Sequence, residues 1–338
     1  MEQIVMRMRE KHFMLFVLFL CLLPICTSSS PSPPHSYNPT QNPVAKKHFV
    51  LVHGASHGAW CWYKVATLLK QSGHNVTTLD LAASGIDPTQ IQQVRSFAVY
   101  VEPLTNFMES LPPKERVVLV GHSLGGVALS IAMERFPQKI SVAVFATAAM
   151  PGPDISLLTI LQEISSHLDF MDSQYRFDDG ATKPATSALL GPKVLTSSFY
   201  QLSPPEINKR LNYMDSEYRY DNGTNNSATS FRFGPRVLAA SLYQLSPQDL
   251  TLGLSLVRFS PLYNYDLIKL TEEKYGSVPR IFIVAGQDHA IVLDVQNFMI
   301  KNNPPNEVKV INGADHMVML SRPVELFSHL QNIAEKYS

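Results

Sequence analysis

Apolar and polar positions trade places along this chain in two blocks, one from about His48 to Thr147 and one from about Val278 to Ser338. Within them the short runs 49–53, 116–120, 280–285 and 308–311 are apolar almost throughout and bounded by turn residues. Runs of that length, rich in Val and Ile, predict strands buried on both faces. Longer helix-like stretches separate them. Strands alternating with helices predict an α/β architecture, a mostly parallel central sheet with helices on both faces. Between the blocks, over about 150–265, the alternation lapses, which predicts an insertion forming a cap, or lid, over one edge of the sheet.

The candidate chemistry sits at one of these strand ends. Gly121-His122-Ser123-Leu124-Gly125 follows the run 116–120 and precedes a helix-like stretch beginning at Gly126. This is the context of a GxSxG nucleophile elbow, in which a serine rides a sharp strand-to-helix turn. The flanking glycines are required because side chains there would collide with neighbouring backbone. A serine hydroxyl needs a base, and the base an orienting acid, which follow an elbow of this kind in the order acid, then histidine. Asp288 lies just past the run 280–285, and His316 just past 308–311, so both emerge at the same sheet edge as Ser123. Asp315 competes for the acid role, but as the chain neighbour of His316 it is poorly placed for an aligned bond and reads as a loop or capping residue. The oxyanion donors are expected from the backbone N–H of Leu124 and, in the loop after the run 49–53, of Ala55. His122 reads as a packing residue. His53 and His57 bracket a turn rather than a helical face, and no HExxH or Cys/His cluster occurs, so neither metal nor cofactor is expected.

Several segments, 48–69, 79–88, 117–126, 275–288 and 313–320, resemble the plant methylesterases, a family including methyl jasmonate and salicylate-binding esterases and polyneuridine aldehyde esterase, with hydroxynitrile lyases as relatives. The similarity extends over nearly everything from Lys47 onward. It implies the α/β-hydrolase fold, a triad of Ser123, Asp288 and His316, and oxyanion donors at Ala55 and Leu124. Family lyases carry Thr at the place of Gly54, Lys at that of Met317 and Glu-Ser-Cys at that of His122-Ser123-Leu124, the Lys holding departing cyanide. The resemblance therefore implies a serine esterase acting on methyl esters of small acids, methyl jasmonate first, then methyl indole-acetate or methyl salicylate. Its alternatives are a catalytically weak hormone-binding protein or receptor, a hydroxynitrile lyase, and more remotely a lipase or peptidase. The implied partners are a small ester and water, and a homodimer is compatible with this reading.

Composition narrows the class further. A chain of 338 residues, 45% hydrophobic, can bury one large core with a lid inserted in it. Its formal net charge of +0 argues against nucleic acid or an anionic membrane surface as partner. Arg7, Arg9 and Lys11 precede an uncharged run over 13–26 and small residues Thr27 to Ser30, the pattern of a secretory signal over 1–30. The run is too short to span a bilayer comfortably, so stable membrane insertion is not expected. Pro31, Pro33, Pro34, Pro39 and Pro43 make 31–46 an extended linker, leaving 47–338 as the catalytic domain. Secretion is the resulting expectation, although members of the resembled family commonly work inside the cell. Of three glycosylation sequons, Asn222 and Asn225 fall in a polar loop, whereas Asn75 reads as the start of a buried strand and a poor acceptor. Loss of the leader leaves Cys61 as the one thiol, beside Trp60 and Trp62 in a helix start, unable to form an internal disulfide.

The lid contains an internal repeat. Residues 171–204 align without gaps to 214–247, with 20 of 34 positions identical at an offset of 43. Both copies end in Tyr-Gln-Leu-Ser-Pro. Two copies are too few for a solenoid, so the repeat is either an enlarged lid or an unselected or mispredicted coding segment.

Overall fold

The computed structural model describes residues 46–166, 174–176, 187–189, 215–221, 223, 228–261 and 269–337. The leader 1–30, the linker up to 45, and the sequons at Asn222 and Asn225 lie outside the described residues.

Six parallel strands form the central sheet: β1 (His48–Val52), β2 (Asn75–Leu79), β3 (Val117–Ser123), β4 (Ile140–Ala148), β10 (Arg280–Ala285) and β11 (Glu307–Ile311). Their spatial order is β11-β10-β4-β3-β1-β2. The runs in β1, β3 and β10 are strands because the sheet is covered on both sides there, and successive residues feed opposite cores. By contrast, β11 departs from that expectation: it lies at the sheet's edge, with Val308 and Val310 exposed. Val50 and Val52 join one core with α2 (Glu102–Ser110), α3 (Gly125–Arg135) and α6 (Leu293–Asn302). Phe49 and Leu51 join the other with α1 (Tyr63–Gln71) and α7 (Pro323–Tyr337).

This division follows from crossover handedness. The chain steps from β1 to β2 in one direction and from β3 through β4, β10 and β11 in the other. Right-handed crossovers then place α1 on one face and α2, α3 and α6 on the opposite one. The reversal lies between β1 and β3, which pair directly, Val52 beside Gly121. Loops leaving their C-terminal ends diverge and open a crevice there, where ligands bind in open α/β sheets.

Asn75 departs from expectation. It opens β2 at the sheet's edge, and its side chain is exposed rather than buried, because an edge strand lacks a neighbour on one side and β2 is only partly covered.

Between β4 and β10 the described residues give α4 (Leu157–Ser166), two antiparallel hairpins, a π-helical turn Leu238–Leu242 and α5 (Pro247–Leu256). The hairpins are β5 (Gln174–Arg176) with β6 (Ser187–Leu189), and β7 (Glu217–Arg219) with β8 (Ser230–Arg232). They occupy equivalent positions of the two repeat copies: Gln174 pairs with Leu189 as Glu217 pairs with Arg232. The second hairpin is extended by β9 (Ser260–Pro261) against β8. Among the described residues no helix is long and apolar enough to cross a membrane.

Candidate active site

Ser123 closes β3 with a φ of 53°, the left-handed conformation that an elbow imposes on its central residue. Two glycines make the turn possible. A Cβ on Gly125 would lie 2.6 Å from the His53 carbonyl oxygen, and one on Gly126 only 2.1 Å from that of Ala149. The chain therefore passes directly from Ser123 into α3, whose N-terminal N–H groups and dipole favour negative charge beside Leu124.

Asp288 and His316 emerge beyond β10 and β11 as expected from their positions, and they are joined: His316 Nδ1 lies 2.8 Å from Asp288 Oδ2. The carboxylate is enclosed and fully engaged. Its Oδ2 also receives the Thr147 hydroxyl, and its Oδ1 accepts the N–H groups of Ala290 (2.7 Å) and Ile291 (2.8 Å). These donors fix its plane and direct it at the imidazole, leaving His316 Nε2 for proton traffic with the cavity. Thr147, itself left-handed at a φ of 40°, is a participant that sequence reasoning misses. Its one signal is its place at the C-terminal end of a central strand.

Asp315 is turned elsewhere. It is buried, and its Oδ2 accepts the N–H of Leu245 in the lid at 2.8 Å. Burial raises its pKa, partly offset by that hydrogen bond. His122 is buried, lines the cavity beside Ser123, and donates Nε2–H to the His316 carbonyl at 2.8 Å, with the two rings 4.6 Å apart. Burial, reinforced by the neighbouring His316, holds its pKa well below the ordinary range. It is a neutral brace for the loop carrying His316. Cys61 is buried, and burial pushes its thiol pKa up, so it offers no thiolate.

The loop after β1 is held by two further histidines. His53 Nδ1–H bonds the Gly54 carbonyl at 2.7 Å, while its Nε2 accepts the Leu81 N–H at 3.0 Å. In a trans peptide the N–H points opposite its carbonyl, so fixing the Gly54 carbonyl aims the Ala55 N–H the other way. His57 Nδ1–H bonds the Ala55 carbonyl at 2.8 Å, and its Nε2 accepts the Tyr243 hydroxyl at 2.7 Å. Burial lowers the pKa of both rings, that of His57 to about 3. Each is thus a neutral imidazole with one donor and one acceptor satisfied.

Ser123, His316, Ala55 and Leu124 line one cavity of about 290 Å³. Its remaining wall is mostly apolar, with Leu157, Ile160 and Leu161 of α4, Phe233, Val237 and Leu242 of the lid, and Ile291. A hydroxyl and an oriented imidazole on an apolar chamber that Ala55 and Leu124 also line form a set that can open an acyl bond by nucleophilic attack. Among the described residues, no cluster of three or more His, Cys, Asp and Glu is disposed to hold a metal ion. The positions that separate lyases from esterases also acquire a physical setting. A Cβ at Gly54 would lie 2.7 Å from Ser123 Cβ, and Met317 is fully buried in the core.

The model of the alpha/beta hydrolase family matches residues 49–329. Methyl jasmonate esterase 1 of Vitis vinifera is 47% identical over 299 residues, covering 87% of this chain and 98% of that protein. Among solved structures, tomato methylketone synthase I complexed with 2-tridecanone superposes with a TM-score of 0.71 at 43% identity, covering 87% of this chain and 99% of that one. Polyneuridine aldehyde esterase superposes with a TM-score of 0.69 at 35% identity, covering 86% and 99%.

Proposed function

This chain belongs to the plant methylesterase family of α/β hydrolases, and from that premise we propose that it hydrolyses methyl esters of small, largely apolar carboxylic acids through an acyl-enzyme. The observation that carries the reading is the Asp288–His316 bond, with His316 lining the same apolar cavity as Ser123. His316 takes the Ser123 proton as the hydroxyl attacks the ester carbonyl, and Asp288 holds the imidazole tautomer and stabilises the charge that develops on it. The N–H groups of Ala55 and Leu124 receive the oxyanion. Methoxide is too basic to leave unaided, so His316 returns its proton to give methanol. Water then adds to the acyl-enzyme through the same imidazole and releases the acid and Ser123. Every step is a proton transfer or acyl transfer among these groups, and no cofactor enters.

Methyl jasmonate is the first substrate proposed, supported by the name of the 47% identical grape relative and by the apolar wall facing Ser123. Methyl indole-acetate and methyl salicylate follow. The methylketone synthase, at 43% identity, shows by its name that relatedness alone does not fix the reaction, so the test has to measure ester cleavage itself. Purified enzyme should release methanol and acid in equal amounts from one or more of these esters. Ser123→Ala should lower kcat by about 10⁴- to 10⁶-fold. Ester binding without turnover would favour a hormone-binding protein instead, and a Ser123→Ala variant that retains most of the hydrolysis would refute the mechanism. Entry to the secretory pathway through residues 1–30 belongs to the same proposal. A reporter fused behind residues 1–46 and retained in the cytosol would remove it.

A further inference from the structure

One set of contacts between the lid and the catalytic core falls on the loop that carries the Ala55 N–H. Ser56, the residue after the Ala55 donor, is buried in the left-handed conformation at a φ of 63°. A serine holds that conformation only where its surroundings fix both of its peptides. Both partners come from the return of the lid toward the core. The Ser56 N–H donates to Ser260 Oγ, and its carbonyl accepts the N–H of Arg258 at 2.9 Å. Arg258 is itself tied down through Nη1, which donates to the carbonyls of Gly85 (3.1 Å) and Asp87 (2.7 Å). One residue further, His57 receives the Tyr243 hydroxyl at 2.7 Å, from the end of the lid's π-helical turn, with the two rings stacked at 5.8 Å.

The core holds the loop upstream through the His53 ring on the Gly54 carbonyl, and next downstream of His57 through Asp80, which accepts the Ala59 N–H at 2.6 Å. Between these core anchors, three bonds from the lid fall on Ser56 and His57, immediately after the peptide that presents the Ala55 N–H. Ser260 and Tyr243 are buried and flank α5 on either side, so their convergence on two adjacent loop residues makes a brace rather than an incidental contact.

We propose that Ser260 and Tyr243 are positioning residues for the oxyanion donor, so that the lid sets the aim of the Ala55 N–H as well as covering the substrate. This rests on the esterase reading. It follows that the brace acts on the tetrahedral state, where the oxyanion exists, and leaves ground-state binding of the ester nearly unchanged.

Ser260→Ala removes one acceptor without adding bulk, and Tyr243→Phe removes one hydroxyl while keeping the ring stack. Each should lower kcat for a methyl ester by about 10- to 100-fold, with KM moving less than about twofold. A trifluoromethyl ketone, which forms a hemiketal oxyanion on Ser123, should lose affinity by a similar factor, while the product acid binds as before. Ser260→Thr, which retains the acceptor, should restore kcat. A merely structural role would lower thermal stability in both variants without separating the ketone from the product acid. Retained kcat, a rise in KM alone, or equal weakening of ketone and acid overturns the proposal. Wild-type enzyme that turns over no ester refutes the esterase reading and this proposal with it. Turnover by the wild type that both variants share would sink the brace alone.

Discussion

Replacing His57 by glutamine should flatten the acid limb of the stability profile. In the native protein His57 has no site for a second proton, since Nδ1–H is given to Ala55 and Nε2 accepts from Tyr243. Burial accordingly holds its pKa at about 3, whereas an unfolded chain binds that proton near 6.5. As pH falls below about 6.5 the unfolded state takes up a proton that the native state refuses, so unfolding gains. The stability owed to neutral His57 is thus complete above that pH and drains away down to the native pKa. The gap of roughly 3.5 units corresponds to about 5 kcal/mol at full expression, of which on the order of 3 kcal/mol is gone by pH ~4.5. His53 and His122, also depressed by burial, slope in the same direction. Urea unfolding across pH ~8 to ~4.5 measures the effect. The glutamine variant starts lower, having lost the fit to Tyr243, but should lose about 3 kcal/mol less over the interval than the wild type. Parallel curves for the two proteins would refute the assignment of His57 as a buried neutral brace.

Asp288→Asn should lower kcat by about 10⁴-fold with KM little changed, because an amide facing His316 Nδ1 and the Thr147 hydroxyl reverses the imidazole tautomer; steady-state kinetics on a methyl ester will show it. Gly54→Ala sets a Cβ 2.7 Å from Ser123 Cβ and 3.1 Å from His122 Nδ1, and should cost about 1–3 kcal/mol of stability, read by denaturant melts, together with a fall in kcat. Deleting residues 171–213 removes the first repeat copy and leaves the second, which supplies the contacts of Tyr243, Gln244 and Leu245 with His57, Gln287 and Asp315. That shortened chain should fold and turn over as the full one does, and an insoluble or inactive product would show that the first copy is required.

What the sequence reveals here is what local pattern controls. Strands β1, β3 and β10 fall within a few residues of their apolar runs, because residues buried on both faces leave an unbroken apolar signature, whereas β11, at the sheet's edge, is marked by its valines although Val308 and Val310 are exposed. Ser123, Asp288 and His316 are legible for the same reason, since each follows such a strand. The braces are not. Tyr243 meets His57 across 186 positions, Thr147 meets Asp288 across 141 and Leu245 meets Asp315 across 70. Strand order brings Thr147 to Asp288, and the packing of the lid on the core brings the other two pairs together. Asn75 is exposed against expectation because the local sequence does not say whether its strand is central or at the edge.

Backbone strain gives the same division a physical form. Among the described residues, the non-glycine positions with positive φ are Ser56, Ala83, Ser123 and Thr147. Each lies at, or a few residues past, the C-terminal end of β1, β2, β3 or β4. Such a conformation costs on the order of 1–3 kcal/mol and survives only where the surroundings over-determine it. In three of the four the side chain or its peptide is put to use. Ser123 faces the cavity, Thr147 holds Asp288, and Ser56 receives the lid. Glycine would relieve the strain at Ser123 and Thr147 but could not supply the hydroxyl. At Ser56 it would loosen the peptide that the lid has to grip. The strain therefore collects along the edge of the sheet where the chemistry requires a side chain or a fixed peptide that relaxed backbone could not present.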